Sequence, residues 1–431
     1  MTVTGGWWLV ARGLDQSHQR SVVLSLWLAV IVLATGGAAA AVDAPEVLHS
    51  FGVSERGGSD LYAGLILDAA GNLYGAAESG GRYGFGIVYK LSPGSGGAWT
   101  ETVLYSFRGG HDGASPHATL AWDSAGNLYG TTVSGGGSTA CGGGCGVLFR
   151  LTPSSGGWTE AVLHRFAGGA DGLVPYPGVV IDTAGNVYGA TTGGGAAGLG
   201  TVYELTPSSG GAWTHSVLHS FTGTPDGSTL YATPVLDSAG NLYGTTYKGG
   251  TYNKGTVFTI TPAAGGGWTE RVLYSFKGGS DGVNPMAPVT FDQNGDLYGT
   301  TEAGGTANCG IAYRLTPNQT GAWNESVLHT FLGVTAQDGE NPNGLIFDTH
   351  GNLFGTSLGG GVDNPGTIFE LSPIPDGSWT ETVLYSFTAG LDGAYPSAGL
   401  VMDAAGNLYG TTLWGGPSGD TTGGVAFEYT P

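Results

Sequence analysis

The chain has 431 residues, 84 of them glycine, with only 11% charged residues and a formal net charge of −20. Acid excess on this scale repels phosphate backbones and anionic headgroups, so nucleic acid and anionic lipid surfaces are excluded as partners. The glycines follow no three-residue period, which excludes a collagen-like rod; they recur at fixed places beside aromatic and β-branched residues, as turns between strands do.

Residues Ser21 to Val42 carry no charge. Arg12 and Arg20 precede them, Val22–Ala34 is a compact apolar run, and Thr35-Gly36-Gly37 leads into four alanines, Ala38–Ala41. That order is the one found in a secretory signal peptide, so residues 1–41 are expected to be a cleaved leader and residues 42–431 the folded domain. An uncleaved anchor is the alternative, because the uncharged stretch is also long enough to span a bilayer. Cleavage removes Arg12, Arg20 and Asp15 and leaves 11 basic against 32 acidic residues, a net of about −21. No later apolar segment reaches spanning length, so no membrane contact is expected after cleavage, and the product is expected to be secreted, periplasmic or at the cell surface.

From Gly71 a short motif repeats. GNLYG stands at Gly71, Gly126, Gly240 and Gly406, with GNVYG at Gly185, GDLYG at Gly295 and GNLFG at Gly351. Steps of 55, 59, 55, 55, 56 and 55 residues mark seven units of a repeat architecture. Within one unit, Val103–Phe107, Thr119–Trp122, Asn127–Thr132 and Gly146–Leu151 read as strands bounded by Gly, Pro, Asp or Asn, and no stretch after the leader shows helical periodicity. Four short antiparallel strands, repeated seven times, predict an all-β, seven-bladed β-propeller. A solenoid would need polar caps at its ends, and neither end has one. We letter the strands of each blade a to d from the axis outward. Val47–Phe51 reads as a strand d with nothing before it, and Phe427–Pro431 as a strand c with nothing after it. The N-terminal strand is therefore expected to complete the last blade and close the ring of a monomer.

The pattern D-x-x-G-N-L-Y-G-T-T followed by G-T-V-F/Y-x-L-T-P, clearest at Asp237–Thr246 and Gly255–Pro262, resembles the GloVer repeat of secreted choice-of-anchor tandem repeat proteins. The resemblance covers residues 47–431 and implies export, but no biochemical role to carry over. More distantly, the units are similar to NHL and lactonase-type propellers, a likeness of fold alone.

Several residues look chemically capable. The Asp ending strand a recurs in all seven units (Asp68, Asp123, Asp182, Asp237, Asp292, Asp348 and Asp403), which suits a turn cap accepting backbone N–H groups. Asp-Gly pairs follow strand d at Asp112, Asp171, Asp226, Asp281, Asp338 and Asp392, again as turn chemistry, with calcium as the alternative. His49, His164, His219 and His329 share one position with Tyr105, Tyr274 and Tyr385, which reads as a half-buried place with a polar tip. Cys141 and Cys145 flank three glycines and suit a local disulfide in an exported protein, leaving Cys309 free; a three-cysteine zinc site is not supported. No catalytic motif, metal site or cofactor fingerprint is assigned.

The a–b and c–d turns are short and uniform, whereas the d–a and b–c loops on the opposite face vary, and variable loops on a rigid scaffold carry recognition. Counting back from the strand-a Asp places Tyr62, His117, Tyr176, Tyr231, Met286 and Ser397, with Asn343 after a one-residue deletion, in a ring at the channel mouth. Tyr83, Tyr247, Tyr252 and Trp414 lie in b–c loops of the same face. Tyr62, His117, Tyr176, Tyr231 and Asn343, with these four, are the expected ligand-binding residues of a non-enzymatic module. Its partner is expected to be a small molecule, a glycan or a surface protein. The alternative is a metal-dependent hydrolase of the lactonase type.

Overall fold

A computed structural model of the chain describes residues 44–52, 57–416 and 423–431. The expected leader lies outside these residues. Among the described residues, no helix is long and apolar enough to cross a membrane, and the helical segments are single 3₁₀ turns.

The chain from Val42 to Pro431 forms a seven-bladed β-propeller whose blades are four-stranded antiparallel sheets. Blade 4 shows the plan, with Val235–Leu236, Leu242–Thr246, Thr256–Pro262 and Trp268–Ser275 in spatial order. Every c–d pair carries a β-bulge, here between Val257 and Phe258, which adds to the right-handed twist that lets blades stack face to face. Blade 7 is assembled from both ends. Strand Glu46–Ser50 pairs with Val425–Tyr429, setting Val47 opposite Phe427 and closing the ring without an open edge.

Burial is divided among seven interfaces, each with its own apolar cluster. The cluster joining blades 7 and 1 combines Leu48, Tyr409 and Ala426 with Leu61, Leu73 and Tyr89. Each motif residue serves this packing. Gly244 of strand b lies flat on the ring of Phe258 in strand c, where an added Cβ would fall 2.6 Å from the ring. The first Thr of G-T-T reaches across the interface near the axis: Thr131 donates to the Pro177 carbonyl at 2.9 Å and Thr356 to that of Ala398 at 2.8 Å. The strand-a Asp caps its turn, Asp237 accepting from the Ala239 and Asn241 N–H groups, the Asn241 amide and the Tyr243 hydroxyl. D-x-x-G-N-L-Y is thus one hydrogen-bonded unit, in which Gly240 supplies the left-handed turn at φ 84°.

Candidate functional site

A left-handed residue at the start of each blade positions the site. Asp60, Ser115, Val174, Thr229, Asn284, Asn341 and Tyr395 all have φ between 54° and 61°, and in five of them a proline follows. In five blades the carbonyl of this left-handed residue accepts an N–H of the b–c loop, and in blades 1 and 3 it also accepts the N–H two residues on. In blade 3, Val174 accepts from Tyr176 at 2.8 Å and from Thr192 at 3.0 Å; in blade 4, Thr229 accepts from Tyr247 at 2.8 Å. This kink delivers the second residue after it to the axis in every blade.

The residues so delivered are Tyr62, His117, Tyr176, Tyr231, Met286, Asn343 and Ser397, and all seven line a single axial cavity of ≈ 670 Å³. Their chemistry is lopsided. Tyr62 stacks on His117 with centroids 4.5 Å apart, His117 lies 3.9 Å from Tyr176, Tyr176 meets Tyr231 edge-on at 5.0 Å, and Tyr231 meets Tyr247 at 5.2 Å. Four rings from four consecutive blades make one continuous wall, and Tyr247 packs against the last of them. The facing wall is Met286, Leu358, Leu413 and the polar Asn343 and Ser397. Asn343 is less available than its sequence position suggests. Its amide nitrogen donates to the Pro396 carbonyl at 2.7 Å and to the Thr356 hydroxyl at 3.0 Å, so it braces blade 6 against blade 7 and presents only its carbonyl.

Burial pushes the His117 imidazole down to about 4, so the ring is neutral at physiological pH. Its Nε2 lies 3.9 Å from the Glu78 carboxylate, a proximity rather than an ion pair while the ring is neutral. Burial, and then the Asp60 charge, push the Glu78 carboxyl up. Tyr176 is pushed far above the phenol range by burial, then Glu78. Tyr247 is pushed up to about 12 by burial, then by its hydrogen bond to Glu302. The wall is therefore a set of neutral, hydrogen-bond-capable rings, and Glu302 is the single carboxylate among the described lining residues.

Tyr83, Tyr252 and Trp414 stand apart from the cavity at loop tips, 42%, 51% and 42% exposed. Arg82 and Arg108 flank the Tyr83 ring at 5.5 and 5.7 Å, and Trp414 leans on Tyr395 at 4.9 Å. Cys141 and Cys145 are joined as a disulfide in the b–c loop of blade 2, and Cys309 carries a free thiol.

The structure also joins two sequence features that reasoning along the chain kept separate. The His or Tyr of strand d donates to the Asp-Gly carboxylate seven residues on: Tyr105 to Asp112 at 2.9 Å, His219 to Asp226 at 2.9 Å, Tyr385 to Asp392 at 2.9 Å, and His329 to Asp338, nine residues on, at 3.1 Å. The same carboxylates accept loop N–H groups, such as those of Thr222 and Thr388. Strand d of the next blade adds a Glu to the cluster. Glu160, Glu270, Glu325 and Glu381 are each pushed up to about 7, first by burial and then by Asp112, Asp226, Asp281 and Asp338 respectively. The recurring spacing from Tyr or His to Asp-Gly was the available signal; the Glu, about one repeat away, gave none.

Fold and site together define a β-propeller with an aromatic-walled axial cavity. The chain belongs to the Gloeobacter/Verrucomicrobia repeat family, whose profile matches residues 38–233, 137–334 and 231–431. No curated protein matches significantly. Among solved structures, a Bacteroides uniformis protein provisionally assigned as a 6-phosphogluconolactonase aligns with TM-score 0.52 at 16% identity, over 79% of this chain and 88% of that one. An ancestral GH74 enzyme aligns with TM-score 0.56 at 11% identity, over 89% of this chain and 48% of that one. At these identities the likeness is one of fold.

Proposed function

We propose that this propeller is an exported, non-enzymatic binding module that holds a small amphipathic ligand, such as a sugar, in its axial cavity. The observation that carries the reading is the continuous ring wall of Tyr62, His117, Tyr176 and Tyr231, with Tyr247 packed against Tyr231. Such a wall offers flat π faces to an apolar ring face and phenolic hydroxyls to its polar edge. A volume of ≈ 670 Å³ falls within the range of small-molecule pockets. A hydrolase holding calcium on the axis would draw on several oxygen ligands, carboxylates prominent among them, whereas the described lining supplies one carboxylate, Glu302. The charge-free run ahead of Ala38–Ala41 supports export, and a ring closed within one chain supports a monomer.

The test is a glycan and small-molecule binding screen, with and without calcium, run beside a lactone and ester hydrolysis panel. Calcium-independent binding without turnover is expected. Turnover abolished by chelation would replace this reading with the hydrolase.

A further inference from the structure

The polar clusters between outer strands follow one plan at four interfaces, and the one between blades 2 and 3 replaces its Glu with a second imidazole. Between blades 1 and 2 the side chains are Tyr105, Asp112 and Glu160, and between blades 4 and 5 they are Tyr274, Asp281 and Glu325. Between blades 2 and 3 the strand-d residue is His164, the carboxylate is Asp171, and His215 stands where other blades have Glu. His164 Nε2 lies 3.1 Å from both Asp171 oxygens, and His215 Nδ1 lies 3.1 Å from Oδ1. The two imidazoles are stacked, 4.1 Å apart and 8° from parallel, so both nitrogens face the same carboxylate.

We propose that His164, Asp171 and His215 form a binding site for a divalent transition cation, zinc above all, that clamps blade 2 to blade 3. Two imidazoles and a carboxylate are donors for zinc, whereas calcium and magnesium take oxygen. The spacing also fits. Bonds of about 2.0–2.1 Å at a tetrahedral centre place neighbouring donors roughly 3.3–3.4 Å apart, close to the 3.1 Å nitrogen–oxygen separations here, and all three donor atoms lie within 4.8 Å of one another. Because the rings are stacked nearly parallel, their in-plane lone pairs do not meet at one point; the ion enters when the more exposed His164 ring turns about its Cβ–Cγ bond and the Asp171 carboxylate shifts, and the proton on each coordinating nitrogen moves to the other nitrogen of its ring. The three side chains are 20%, 24% and 11% exposed for His164, Asp171 and His215, enough for an ion to enter and for water to complete its shell.

The surroundings hold the donors near one another. His164 packs edge-on against Phe166 at 4.8 Å, and His215 lies against Phe166 and Tyr203. The Ala167 N–H fixes Asp171 at 2.7 Å. Gly168, three residues before Asp171, abuts the Cys141–Cys145 disulfide, so the described chain's single disulfide braces the loop that carries this carboxylate. Two local departures from the repeat, the extra histidine and the bridge, thus fall on the same interface. The His329, Asp338 and Glu381 cluster has comparable spacing but one imidazole, and its Glu381 holds its proton to about 7.

The repeats themselves provide the control. H164Y/H215E converts this cluster into the Tyr, Asp and Glu set that two other interfaces already fold around. Untagged, chelator-treated full-length protein is titrated with Zn²⁺ by calorimetry, and its melting temperature is followed with and without Zn²⁺. The wild type is expected to bind one equivalent and to melt higher with zinc. The double variant is expected to bind about 100-fold more weakly or worse, with no zinc-dependent rise. Unchanged zinc affinity in a folded double variant, or a wild-type Kd no better than about 1 mM, overturns the site. If the double variant does not fold, H215E alone decides by the same comparison.

Discussion

Val174 shows at one residue how this fold trades local comfort for placement. It is β-branched and sits at φ 54°, a region that L-residues other than Asn and Asp rarely enter. The conformation persists because the Val174 N–H is held by the Cys145 carbonyl at 2.9 Å, and because its own carbonyl receives Tyr176 and Thr192. The result is that Tyr176 faces the cavity. Blades 5 and 6 use Asn284 and Asn341 at the same place. V174N is therefore expected to stabilise the protein by about 1 kcal/mol, read from chemical denaturation, without moving Tyr176. Equal or lower stability would show that Val174 is not strained. This kink was not legible in the chain, since the residue before a proline ordinarily prefers extended backbone. The ring it delivers was legible, because counting back six residues from the strand-a Asp keeps register in six units, and blade 6 needs only a one-residue deletion to place Asn343.

At the scale of strands, the Glu and Asp-Gly pairs make stability depend on pH. Glu160, Glu270, Glu325 and Glu381 keep their protons in the folded state up to about 7 and lose them near the ordinary 4.5 when unfolded. Between those values the folded state binds more protons, so stability is greatest at the acidic end of the window and falls as pH rises through it. Each also has one buried carboxyl oxygen without a protein partner, tolerable for a neutral acid and costly for an anion. His117, pushed down to about 4, works in the opposite direction, one group against four. The melting temperature is expected to be a few degrees higher at pH 5 than at pH 8, measured by scanning calorimetry. Replacing the four glutamates by glutamine should flatten the slope; an unchanged slope would assign it to the net acidic charge instead. Strand number and order were readable from spacing and turn residues. These pairs were not, because Glu160 and Asp112 lie 48 residues apart and meet only once blades stack.

For the whole molecule, the complementary ends carried the topology: a first strand lacking three partners and a last blade lacking its fourth strand meet as Glu46–Ser50 on Val425–Tyr429. Ring closure makes all seven strand-a kinks point at one axis, and so turns seven scattered residues into a cavity wall. Tyr247 packs on that wall from a b–c loop through Tyr231, whereas Tyr83, Tyr252 and Trp414 stay at loop tips; only the closed ring separates the two groups. The most direct measurement of the binding account is the affinity of the tightest ligand from the screen for the wild type, Y176A/Y231A and Y83A/Y252A, with folding checked by circular dichroism. Two lost stacking contacts predict a loss of at least about tenfold for Y176A/Y231A and no more than about twofold for the loop-tip pair. The reverse pattern, with the loop tips essential and the axial pair dispensable, would contradict the axial site.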